Sequence, residues 1–78
     1  MMINRGRLRW QCRRALLELD LVFKRFLERD FDQLAEEQLV ALEELLRLED
    51  HDLWAIVNGS KPSRDDREGV IVALLRAP

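Results

Sequence analysis

Leucines recur at helical spacing through much of this chain, and this period constrains the fold more than any other feature. In the most regular stretch, one face of a helix would consist of Leu39, Leu42, Leu45 and Leu46. Glutamates occupy the opposite face, and residues that favour strands are scarce, because the sequence has no Tyr and only 3 Phe. The chain has 78 residues, which fit a single domain. We therefore predict an all-α fold over residues 1–78, a small compact bundle of four to five short helices.

Candidate capping residues predict where the first two helices begin. Asn4 is a candidate N-cap for a helix that continues through Leu17, with arginines on its outer face. Asp20 then starts or continues a second helical segment. Its apolar residues recur at helical spacing and are predicted to be core: Leu19, Phe23, Phe26 and Leu27.

Turn residues and caps likewise delimit the other helices. Residues 30–33 predict a turn, and a third helix follows over about residues 35–48. We expect Asp50 to be the N-cap of a short fourth helix with Trp54 in the core, and Asn58-Gly59 to end it. Ser63 resembles the first residue of a capping box for a last helix. The inward residues of that helix are predicted to be Val70, Ile71, Leu74 and Leu75.

Charge is distributed unevenly along the chain. The net charge is −2, but residues 1–17 carry +5 and residues 18–54 carry −8. The basic start, with Trp10 inside it, would suit phosphate contacts, whereas the overall acidity and the lack of a recognisable reading helix argue against nucleic acid. We expect two different faces and no nucleic-acid partner.

Few residues are suited to catalysis. Cys12 is the single cysteine, so it forms no internal disulfide, and a small half-buried residue is a simpler interpretation than a reactive thiol. His51 lies between two aspartates in the first turn of a predicted helix, where we expect an exposed residue rather than a base. We therefore expect no enzyme activity, no metal and no catalytic residue.

The sequence has no apolar run long enough to cross a bilayer and no apolar h-region of a secretory signal. Its Arg-rich start resembles a transit peptide in charge but lacks Ser. We expect a bacterial cytoplasmic protein that does not insert into membranes.

One stretch carries a family signature. Trp10, Cys12-Arg13-Arg14 and Glu18-Leu19-Asp20 resemble the SdhE family of FAD assembly factors, whose hallmark is Arg-Gly-x-x-Glu followed by Leu-Asp. The likeness covers about residues 4–76. Further similar residues are Phe26-Leu27-Glu28, Phe31-Asp32, Leu34, the Leu-Leu-Arg-Leu-Glu-Asp stretch ending at Asp50, Asp52-Leu53-Trp54 and Asn58-Gly59.

The resemblance implies a five-helix fold and a chaperone-like role. Members bind the flavoprotein subunit of succinate dehydrogenase, and often that of fumarate reductase, and promote attachment of FAD to a histidine of that partner. The linkage forms in the partner's own active site, so FAD belongs to the partner and this chain binds no cofactor stably. We expect a monomer when the protein is free.

The resemblance also implies a partner-binding surface. Arg14 and Glu18 match the charged ends of the motif, are expected to contact the flavoprotein, and on a continuous helix would lie on the same face and could pair. Second-rank positions are Arg7, Trp10, Arg13 and Asp20, with Trp10 equally suited to the core.

Ala15 replaces the motif glycine and lies at the same predicted surface. Alanine there favours a helical backbone. A second departure, Ala35 where many members have a Ser or Thr cap, should cost about 1 kcal/mol of helix stability.

An alternative function remains open, that of a regulatory or antitoxin-like interaction module that uses the acidic third helix. It would not depend on the motif.

Overall fold

The computed structural model describes residues 3–77, and these form five α-helices and one short 3-10 turn with no strand among them. The helices are α1 (Arg5–Gln11), α2 (Leu17–Arg29), α3 (Glu36–Leu46), α4 (Asp50–Val57) and α5 (Asp66–Arg76), and the 3-10 turn (Phe31–Gln33) lies between α2 and α3. The predicted all-α bundle is confirmed. Within residues 3–77, none of the helices combines the length and the apolar character that crossing a bilayer requires.

The core forms where the apolar stripes of the helices meet. Leu19, Phe23 and Phe26 of α2 are fully buried, as predicted, and Leu27 is half-buried against them. The Phe26 ring stacks edge-on against Phe31 at 6.5 Å between centroids, so the 3-10 turn also contributes to the core. Helix α5 packs mainly against α3 and also against α2 and α4. All four predicted α3 leucines are buried.

Several predicted helix ends are confirmed. The Asn4 side chain accepts a hydrogen bond from the Arg7 backbone N–H at 3.0 Å, which caps α1. Helix α4 ends at Asn58-Gly59, where Gly59 has φ of +91° and so occupies the left-handed region that favours glycine. Ala35 is the N-cap of α3 and offers no side-chain acceptor, as expected.

Three predictions at helix ends are wrong. Helix α1 stops at Gln11 instead of continuing through Leu17. Glu49, and not Asp50, is the N-cap of α4, because the Asp50 carboxylate accepts hydrogen bonds from another part of the chain. Asp65 caps α5 in place of Ser63.

On α5 the buried valine is also not the predicted one. Val70 is exposed and Val72 is buried, because the face of α5 that packs inward is rotated from the predicted one and also includes Glu68. Trp54 is half-buried and packs against the core, so it lies at the edge of the core.

Candidate functional site

The core of the family motif spans the loop between α1 and α2, residues 12–16, which we call the motif loop, and the first turn of α2. Two backbone N–H groups of this loop bond to carboxylates instead of to helix carbonyls. Arg14 N–H donates to Asp20 Oδ1 at 2.9 Å, and Leu16 N–H donates to Asp50 Oδ2 at 2.9 Å. Because both donors are satisfied this way, the chain leaves the helix after Gln11 at no hydrogen-bonding cost.

The side chain of Arg14 points into the molecule. Its Nε donates to Asp50 Oδ1 at 2.8 Å, and its guanidinium also donates to the backbone carbonyls of Gln11 (3.2 Å), Leu46 (3.2 Å) and Leu48 (2.8 Å). Only 12% of this side chain is exposed. Gln11 and Leu46 are the last residues of α1 and α3, whose terminal carbonyls lack partners within their own helices and carry partial negative charge. One cation therefore joins the ends of two helices to the start of a third.

Asp50 is the acceptor that completes this arrangement. As the first residue of α4, it places a negative charge at the positive end of a helix. The Leu16 N–H contributes most to holding the pKa of the Asp50 carboxyl below its usual range, and the hydrogen bond and charge of Arg14 lower it further, whereas burial opposes them. The carboxylate is therefore ionised at neutral pH.

The predicted pairing of Arg14 with Glu18 is wrong. The two residues do not share a helix face, because the motif loop separates Arg14 from α2, and Arg14 binds Asp50 instead. Glu18 lies in the first turn of α2, is exposed, and makes no hydrogen bond or ion pair within residues 3–77. Its carboxylate is free to meet a partner.

Ala15 occupies the bend of the motif loop and is exposed. The expectation of a helical backbone at this position is wrong, because the loop is held open by Asp20 and Asp50. Among the described residues no residue other than glycine has a positive φ. The loop therefore adopts a conformation open to alanine, and the missing glycine does not strain it.

The second-rank positions separate into two groups. Arg7, Trp10 and Arg13 are exposed, and 74% of Trp10 is accessible, which places it on the surface and not in the core. Asp20 is half-buried and holds the motif loop through the Arg14 N–H. The structure thus brings Arg13, Arg14, Ala15, Glu18 and Asp20 to one end of the bundle.

Neither residue considered for chemistry is placed for it. Cys12 is buried, and burial raises the pKa of its thiol to about 12 although Arg14 and Arg9 lower it, so the thiol is protonated at neutral pH. His51 is exposed on α4. Within residues 3–77, no group of His, Cys, Asp and Glu side chains is arranged to hold a metal ion.

Sequence reasoning missed two carboxylates that bind arginines within the fold. Asp50 was assigned to a cap because its partner, Arg14, is 36 residues away, a distance at which helical spacing carries no signal. Glu68 is 1% exposed and receives two hydrogen bonds from Arg64 Nε, at 2.8 and 3.1 Å. The Arg64–Glu68 spacing of four residues is the signal in the sequence that could have identified this pair.

The fold and this site define a small helical bundle with an ordered motif loop between its first two helices. A family model described as "Flavinator of succinate dehydrogenase" matches residues 6–78. The chain belongs to this family, and its resemblance to SdhE proteins is confirmed.

Relatives named FAD assembly factor SdhE support the same assignment. The chain is 41% identical over 74 residues to the protein of Legionella pneumophila (strain Lens), covering 94% of this chain and 91% of that one. It is 37% identical over 76 residues to that of Methylococcus capsulatus (97% and 92%) and 40% identical over 63 residues to that of Idiomarina loihiensis (81% and 70%). No solved structure matched the chain.

Proposed function

We propose that this protein is an assembly factor that binds the flavoprotein subunit of succinate dehydrogenase, its client, and promotes the covalent attachment of FAD to it. The observation that carries the proposal is the family match across residues 6–78. FAD stays on the client, and the protein acts as a monomer in the bacterial cytoplasm. The flavoprotein subunit of fumarate reductase is a second client to test.

The chemistry of the chain favours an indirect role. The thiol of Cys12 is buried and protonated, and His51 is exposed, so neither offers an activated nucleophile or a sheltered base. An assembly factor without such groups accelerates attachment by holding the client in the geometry in which its histidine meets the flavin. The bond then forms within the client.

The motif loop suits this task because it is already ordered. Arg14 and Asp50 fix it to the ends of three helices, and Ala15 and Glu18 face solvent from it and from the adjoining first turn of α2. A surface that is held in place before binding loses little conformational entropy on association. On this proposal Glu18 contacts the client directly, and Arg14 acts by positioning the loop.

The test is capture of the client by the purified protein, followed by detection of covalent flavin on the captured subunit by in-gel fluorescence. Glu18→Gln should weaken capture about tenfold and lower the covalent flavin, because the variant loses a charged contact. Its thermal stability should stay unchanged. Glu37→Gln is the matched control, since Glu37 is an exposed second residue of α3 as Glu18 is of α2.

Failure of the wild-type protein to capture or flavinylate either client would overturn the proposal. The regulatory alternative predicts a different pattern, in which reversal of charge at Glu43 and Glu44 abolishes binding and Glu18→Gln has no effect. The structure gives that face less free charge, because Glu43 pairs with Arg47 at 3.5 Å and Glu44 lies 3.8 Å from Arg67.

A further inference from the structure

A groove runs between α1 and α2, beside the motif loop. Trp10 and Leu27 give it an apolar floor, and Arg13, Lys24 and Glu28 stand at its edges. We call this the α1–α2 groove. It is separate from the Arg14–Asp50 contacts, which lie on the inner side of the loop.

The exposure of Trp10 is unusual for a chain with so few aromatic residues. With 74% of its surface accessible, Trp10 gains little from folding, although the core of the protein is small. Exposed tryptophans are the residues that most often dominate binding at interfaces. Trp10 is therefore a candidate contact residue for a partner.

The apolar surface continues along α2. Leu17 and Leu21 are 65% and 56% exposed, and they lie one turn apart on the same side of the helix as Lys24. Lys24 in turn lines the groove with Trp10. Exposed apolar residues bordered by charged ones thus extend from Leu17 to Trp10. Protein interfaces have the same arrangement, with an apolar centre and a polar rim.

Two of the free charges at the groove are positive. Arg13 and Lys24 form no ion pair within residues 3–77, whereas Arg9, on the same side, binds Asp32 at 3.0 Å and lies over the Phe31 ring. Of the two nearby acids, Asp20 accepts a hydrogen bond from the Arg14 N–H, and Glu28, one turn from Lys24 on α2, is a free carboxylate within residues 3–77. The groove therefore offers two unpaired cations beside an aromatic ring.

We propose that the α1–α2 groove binds an acidic segment of the client flavoprotein that carries a bulky apolar side chain. The apolar side chain packs on Trp10 and Leu27, and carboxylates of the segment pair with Arg13 and Lys24. This inference rests on the proposed function and adds the chemistry of the contact. A nucleic acid fits less well, because the exposed leucines beside the groove would have no apolar partner.

The test is the dissociation constant for the purified client subunit, measured by calorimetry at two salt concentrations. Arg13→Glu, Lys24→Glu and Trp10→Ala should each weaken binding about tenfold or more. Binding of the wild-type protein should weaken as salt rises, and the dependence should be shallower for Lys24→Glu. Thermal melts of each variant check that the fold is intact.

Arg25→Glu is the matched control. Arg25 is the next residue on the same exposed helix, but it lies beside Trp54 and Asn58, on a different surface from the groove. The substitution changes net charge by the same amount as Lys24→Glu. It should leave the dissociation constant within about twofold of wild type, since Arg25 does not line the groove and a single rim charge contributes little.

The outcomes separate the two proposals. Client binding that is insensitive to Arg13→Glu and Lys24→Glu, or equally weakened by Arg25→Glu, would overturn the groove and leave the proposed function standing. Absence of any client binding by the wild-type protein would overturn both. A concentration-dependent dimer abolished by Lys24→Glu, or preferential binding to a single-stranded oligonucleotide, would assign the groove to a different occupant and so reject the proposal.

Discussion

Arg13 and Arg14 are neighbours in sequence but face opposite environments. Arg13 is exposed beside the groove, whereas Arg14 is 12% exposed and bonds to three backbone carbonyls and one carboxylate. A lysine could not replace Arg14, because an ammonium lacks the planar fork that reaches several acceptors at once. Loss of function on changing Arg14 would therefore reflect a displaced motif loop. Loss of function on changing Arg13 would reflect a lost direct contact with the partner.

Asp50→Asn should destabilise the protein in a pH-dependent way. The folded-state pKa of Asp50 lies below the value of about 3.9 expected when unfolded, so its stabilising effect is present above that pH. It is lost as the pH falls through the lower, folded-state value. At pH 7 we expect a loss of about 2 kcal/mol, the usual size for charged hydrogen bonds. Chemical unfolding at pH 7 and below pH 4 measures both values.

Asp66→Asn is the control for this prediction. Asp66 is the first residue of α5, as Asp50 is of α4, but its side chain is exposed and makes no hydrogen bond or ion pair within residues 3–77. It should change stability only slightly at either pH. A gap between wild type and Asp50→Asn that persists undiminished in acid would show that the ionised carboxylate is not the source of the stability.

At the scale of elements, the sequence predicts helices whose signals are local. The leucine period identified α3, and the Asn4 side chain marked the start of α1, because both depend on residues within a turn or two. The motif loop carried no such signal. Its geometry depends on Asp50, which is 34 residues from Leu16, so local spacing predicted an uninterrupted helix. The candidate site was therefore found by its motif, and its shape was not predictable.

Ala35→Ser should stabilise α3. Ala35 has the extended backbone of an N-cap, with φ −74° and ψ 164°, but no side-chain acceptor, while Gln38 already bonds back to the Ala35 N–H at 2.7 Å. A serine there completes the reciprocal pair. We expect a gain of about 1 kcal/mol, which raises Tm by about 4–8 °C in a domain of this size.

Ala73→Ser provides the comparison, because Ala73 is exposed in the middle of α5, where serine is a weaker helix former than alanine. That variant should be neutral or slightly less stable. If both serine variants shifted Tm by the same amount and in the same direction, the gain at Ala35 would not come from capping.

In the molecule as a whole, arginines from distant segments donate hydrogen bonds to the backbone carbonyls at the ends of short helices. Arg14 binds carbonyls at the ends of α1 and α3, Arg76 those at the end of α4, and Arg29 those of Leu74 and Ala77 at the end of α5. A chain of 78 residues has a small core, so these contacts are a substantial part of what fixes the helices relative to each other. Composition predicted the helices but not these pairings, which join residues far apart in sequence.

Arg76→Gln tests this mode of stabilisation across the whole molecule. Arg76 donates to Val57 O at 2.7 Å and to Ile56 O at 2.9 Å, and glutamine is too short to reach both carbonyls. We expect a loss of about 1 kcal/mol and a fall in Tm of about 4–8 °C. Because α5 packs against α2, α3 and α4, unfolding should remain a single transition.

Arg67→Gln is the control on the same helix, since Arg67 makes only ion pairs of 3.8 Å on the surface and should have little effect. Equal losses in the free energy of unfolding for the two variants would attribute the effect to charge instead of to helix-end hydrogen bonds. Unfolding transitions of Arg76→Gln that differ between near- and far-ultraviolet circular dichroism would contradict a single cooperative unit.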